Sequence, residues 1–134
     1  MSEQLEKFLA LVNEIDKDNY QNFGLFESEL KHIHGIHLFD FLSIQSVSRM
    51  IEDNEMKFIA IKCIELKEAY RSKKVFRQIL DILESKNIPI FIDDILNNRL
   101  FQFLTDRGYK NIKHQSAYGW KRSMYKLPTA KKED

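Results

Sequence analysis

MKFIAIKCIELKEAYRSKKVFRQIL, residues 56–80, decides the fold. Its first part alternates as a strand does. Phe58, Ala60, Lys62 and Ile64 share one face, while Ile59, Ile61, Cys63 and Glu65 take the other. A turn at 67–71 follows, and a helix starts near Lys73 with Val75, Ile79, Ile82 and Leu83 in its apolar stripe. A strand–turn–helix unit of this kind aims free backbone N–H groups and the positive end of the helix dipole outward, which suits phosphate. Arg71, Lys73, Lys74 and Arg77 add four cations at that same end. Cations at a helix N-terminus are unfavourable by about a few tenths of a kcal/mol each. Either the fold tolerates them or an anionic partner offsets them; their clustering favours the partner.

Working outward, Leu5, Phe8, Leu9, Val12 and Ile15 recur at helical spacing and predict a helix over 3–17. DKDNYQNFG breaks that pattern, and FESELKHIH reads as a short helix ending at Gly35. Residues 37–66 read as an antiparallel hairpin turning at EDNE, with a helix at SVSRMIEDN as the competing reading. Beyond the SKNIP turn, IPIFID is a short apolar strand. NNRLFQFLTDRG is a helix capped by Asn97 or Asn98 and stopped at Gly108. YKNIKHQSAYGWKRSMYKL makes two strands joined near Ala117–Trp120, and PTAKKED is a polar end. The order is that of a single α/β domain on a mixed sheet, spanning 1–127 with a disordered polar tail at 128–134.

Composition excludes several function classes. The 134 residues are 43% hydrophobic, enough for one core and too few for two ordinary domains. With 21 basic and 20 acidic residues the net charge is +1, which gives no global drive toward nucleic acid or a membrane surface. One cysteine, Cys63, cannot form an internal disulfide, and no apolar run approaches a membrane span. The N-terminus carries Glu3 and Glu6 where a signal peptide would need cations, so the expected location is the cytoplasm.

Three further segments invite chemistry. HIHGIH places His32, His34 and His37 close together, but no second group of ligands has the spacing to complete a metal site, so none is expected. YGWKRSMYK mixes aromatics with cations as single-strand binders do, yet Trp120, Arg122 and Met124 alternate with Lys121, Ser123 and Tyr125 as any half-buried edge strand would. The balanced charge argues against nucleic acid. Cys63, in mid-strand without a nearby histidine, reads as a buried structural thiol.

LKEAYRSKKVF, residues 66–76, followed by NRLFQFLTDRGY, residues 98–109, resembles the GNAT superfamily of N-acetyltransferases over roughly 56–127. In that family a strand ends in V-x-P-x-Y-R-G-K-G-I-G and leads into a helix that cradles the pyrophosphate of acetyl-CoA. Tyr70, Arg71, Lys73 and Val75 agree with that motif, and Asn98, Gly108 and Tyr109 fall in step with the family's next helix. The resemblance implies a GNAT-like mixed-sheet domain with acetyl-CoA or another acyl-CoA as co-substrate. Leu66, Arg71, Ser72, Lys73, Lys74, Val75, Phe76 and Asn98 would lie around the cofactor. The acceptor would be an amine of a protein or small molecule, with Glu65 or a histidine of HIHGIH, acting through water, as candidate base. Departures accompany the agreement. The family's glycines become Ser72, Lys74 and Phe76, and Leu104 stands where many members carry a tyrosine that protonates the departing thiolate. These departures define the alternative, a catalytically silent GNAT-like module serving as a protein-binding or assembly component.

Overall fold

The computed structural model describes residues 3–66, 74–95, 97–116 and 119–129. Its elements are helix α1 (Glu3–Val12), strand β1 (Gly24–Phe26), helix α2 (Glu27–His32), the strands β2 (Phe39–Ile51) and β3 (Asn54–Leu66), helix α3 (Val75–Ser85), strand β4 (Ile90–Asp93), helix α4 (Asn98–Asp106), and the strands β5 (Lys110–Ser116) and β6 (Gly119–Lys126). The strands form one sheet in the order β1-β2-β3-β4-β6-β5. Every pairing is antiparallel except β3 with β4. Parallel neighbours need a crossover, and the segment containing α3 supplies it. The α/β class and mixed sheet expected from the sequence are present.

The central hairpin forms as its alternation requires. Ile51 faces Asn54 across Glu52 (φ 49°) and Asp53 (φ 68°), a two-residue turn with both residues left-handed. That twist matches the flanking strands, so the helix considered at SVSRMIEDN does not form. Helix α1 stops at Val12 rather than continuing to 17. The Asp16 carboxylate accepts the backbone N–H groups of Asp18 (2.8 Å) and Asn19 (2.9 Å), and Asn19 Oδ1 accepts that of Asp16 (2.8 Å). These local bonds outcompete a further helical turn, although Ile15 still reaches the core. Strand β1, which straddles the end of the stretch read as a break and the start of the helix read from Phe26, is three residues long and too short to show a period. Strand β6 lies inside the sheet between β4 and β5, not at an edge. Its Met124 and Tyr125 are accordingly buried on opposite faces.

Two layers of apolar packing follow. Leu5, Phe8 and Val12 of α1 and Val75, Ile79, Leu80 and Leu83 of α3 pack with Ile44, Ile59, Ile61, Ile90 and Ile92 on one face of the sheet. On the other face Ile51, Phe58, Ala60, Phe91 and Tyr125 form a smaller cluster, built among the described residues from strand residues alone. The long β2–β3 ribbon itself covers that face. Arg49 lies opposite Met56 and Asp93 opposite Lys62, a span of about 20 Å along a flat strand. Yet Arg49 Nη2 reaches Asp93 Oδ2 at 3.4 Å, and its guanidinium lies 5.2 Å from the Phe91 ring centre. The ribbon is therefore strongly coiled, and the coil buries Phe58 completely.

Candidate functional site

The β3–β4 ladder ends four residues before the end of β3. Pairing runs from Ile59↔Ile90 to Lys62↔Asp93, and among the described residues it ends there. Strand β3 continues to Leu66 against β2. Between Ser43↔Lys62 and Phe41↔Glu65, β2 advances two residues and β3 three, so β3 carries an extra residue at 63–64. A bulge of this kind bends the strand and increases its twist. On the other side of the opening the chain after Asp93 turns at Asp94 (φ 52°) and leans toward β6, where the Ile95 N–H donates to the Arg122 carbonyl at 2.8 Å. One strand bends at a bulge while its parallel neighbour leaves for the opposite side.

Charged side chains gather at the end of the ladder. Ser123, fully buried, donates through its hydroxyl to Asp93 Oδ1 at 3.1 Å, while Arg49 holds Oδ2. Lys62 Nζ lies 3.8 Å from Asp94 Oδ2. Motif matching did not single out these residues. The available signal was IFIDD itself, two acids placed directly behind a buried apolar run. Burial of Asp93 is tolerable because both of its oxygens have partners.

The residues expected at the site fall into four groups, the last being Asn98. Glu65 and Leu66 belong to the bulged end of β3, pairing with Phe41 and Phe39, and their side chains lie outside the described atoms. Arg71, Ser72 and Lys73 lie outside the described residues. Lys74, Val75 and Phe76 form the start of α3. Lys74 is exposed and left-handed (φ 55°, ψ 36°) in the N-cap position, with no side-chain capping bond. It occupies, without a glycine, the conformation for which glycine is best suited. Val75 is buried in the main core. Phe76 turns inward against α4, its ring edge-on to Phe103 at 6.3 Å. Arg77, exposed, lies over the same Phe103 ring at 5.6 Å.

Asn98 has a different role from that of a helix cap. The N-cap of α4 is Asn97, whose Oδ1 accepts the N–H groups of Arg99 (2.7 Å) and Leu100 (3.2 Å). Asn98 Oδ1 instead accepts Arg122 Nη2 at 2.8 Å, and Arg122 stacks 4.5 Å from the centre of Phe101. Leu104 is completely buried in the main core. His32 and His37 are exposed at and beyond the end of α2, and among the described residues no cluster of histidine, cysteine and carboxylate side chains has metal-binding geometry. Among the described residues no helix is long and apolar enough to cross a membrane. The chain matches no protein-family model, and comparison with curated proteins likewise gives no match.

Proposed function

We propose that the chain is a GNAT-like, CoA-dependent N-acyltransferase acting on an amine of a protein or small molecule. The opening of the parallel β3–β4 pair beyond Lys62↔Asp93 carries this reading. Where two strands diverge, backbone N–H and C=O groups along the slot are free to bond an extended ligand as a further strand would. The pantetheine arm of CoA, an extended chain with two amide groups, fits that requirement. Lys74, exposed in the N-cap position of α3, would supply positive charge for the pyrophosphate. In the reaction the amine nitrogen attacks the thioester carbonyl. A C–N bond forms, the C–S bond breaks, and the amine's proton leaves as the CoA thiolate is protonated. A backbone N–H near Leu66 would stabilise the oxyanion, and Glu65 or a histidine of HIHGIH would take the amine's proton through water.

One observation favours the second reading, a silent module of the same fold. Leu104 stands where many family members place a proton-donating tyrosine, and it is sealed in the apolar core. It cannot protonate a thiolate. Calorimetric titration with acetyl-CoA separates the readings. Binding that weakens steeply between low and high salt is the expected result, because charge must substitute for the missing glycines. No heat at millimolar acetyl-CoA would abandon the enzyme in favour of the module. Binding without acetyl transfer to polyamines or lysine peptides would support a module that retains the nucleotide.

A further inference from the structure

The end of the β2–β3 ribbon extends past its neighbours. Strand β4 begins opposite Ile59, so residues 54–58 of β3 have β2 on one side and, among the described residues, no strand on the other. The Ile59 N–H donates to the Pro89 carbonyl at 3.0 Å, which fixes the direction of the backbone groups. Because that direction alternates, Lys57 and Glu55 also aim their N–H and C=O groups at this open edge, while Met56 aims its own toward β2. Glu55 and Lys57 are exposed on one face of the strand, and among the described residues neither forms an ion pair.

An exposed edge is usually protected by charges that repel a copy of itself. Here the order Glu55-Met56-Lys57 does the opposite. Laid antiparallel on a second copy with the two-fold axis at Met56, Glu55 faces the other copy's Lys57, and Lys57 faces the other copy's Glu55. In that same register the residues with outward backbone groups stand opposite one another, so both Glu55–Lys57 pairs become hydrogen-bonded pairs of the ladder. Charge and backbone phase therefore select one register independently. We propose that the chain forms an isologous dimer by antiparallel pairing of this β3 edge, centred on Met56. The proposal does not rest on the acyltransferase reading. Five residues of edge make a small contact, so the dimer is a concentration-dependent one.

Sedimentation velocity of the full chain from micromolar to millimolar concentration tests this, with charge reversal as the probe. Glu55→Lys and Lys57→Glu each set like charges opposite one another in both pairs, and each should weaken dimerisation about tenfold. Combined in one chain, the two reversals restore opposite charges and should restore the wild-type constant. Both sites are exposed, so circular dichroism should show all three variants folded. In a Cys63→Ser background, Met56→Cys should oxidise to a disulfide-linked dimer, since a non-hydrogen-bonded antiparallel pair brings Cα atoms within disulfide range. A wild-type chain that stays monomeric at millimolar concentration would overturn the proposal. Single reversals that dimerise as wild type, or a double reversal that fails to recover, would equally exclude this register.

Discussion

At the start of α3, two neighbouring residues bear opposite relations to stability. Lys74 holds a left-handed backbone that costs an L-residue about 1–2 kcal/mol, and no side-chain cap compensates it. Lys74→Gly should therefore stabilise the chain by up to about 1 kcal/mol, read as a shift in the urea midpoint, whereas Lys74→Ala should not. An equal effect of both would locate the strain elsewhere. Phe76 is half-buried against Phe103 and the main core. Its removal in Phe76→Gly combines a lost aromatic contact with the poor helix propensity of glycine, and should cost about 2–4 kcal/mol. Because the ring packs inward, the substitution should leave affinity for CoA unimproved in a titration. Strengthened binding would mean that the ring obstructs the proposed anion site.

At the scale of elements, α4 ends in a network that ties it to α3 and β6. Glu84 Oε2 accepts the Tyr109 hydroxyl at 2.9 Å and Arg107 Nε at 3.0 Å, Asp81 takes Arg107 Nη2 at 2.8 Å, and Lys126 Nζ caps the Arg107 carbonyl at 2.8 Å. Burial, reinforced by the Glu84 carboxylate, pushes the Tyr109 phenol well above its ordinary range. The unfolded chain's tyrosine thus loses its proton first. Stability is full below about pH 10 and falls as pH rises beyond it. Tyr109→Phe should cost about 1 kcal/mol at neutral pH and flatten that alkaline decline, measured by denaturant melts at pH 9 and 11. An unchanged alkaline slope would mean that another group sets it. The turn into this network requires Gly108 at φ 94°. A Cβ there would meet Lys126 only at 3.9 Å, so the expected cost of Gly108→Val, about 1–2 kcal/mol or more, comes from the backbone rather than from crowding.

At the scale of the molecule, what the sequence reveals divides by the range of the interactions. The hairpin, α3, α4 and the Gly108 stop were legible because each is written in a local period or a single terminating residue. The early end of α1 was not, because side-chain bonds at Asp16 and Asn19 outcompete the helical period. Nor was the interior position of β6, since the order of strands in a sheet leaves no periodic trace. Of the candidate site, the turn's cations were visible, but the bulge at 63–64 and the Arg49–Asp93–Ser123 group arise from strand register and coiling. That coiling gives the last prediction. Among the described residues, the second face of the sheet has only strand residues in its core, so a curled ribbon keeps Phe58 dry. Arg49 holds the curl through one half-exposed ion pair and a contact with the Phe91 ring. Its replacement in Arg49→Ala should cost about 1–2 kcal/mol, with most of the loss from packing over Phe91 rather than from the charge pair. Arg49→Met, which retains an apolar stem, should recover most of it. Hydrogen exchange should show amides of 46–58 losing protection in the alanine variant while those of α3 do not. Protection lost evenly across the chain would mean that the ribbon and the helical layer unfold as one unit, and that Arg49 does not hold the curl separately.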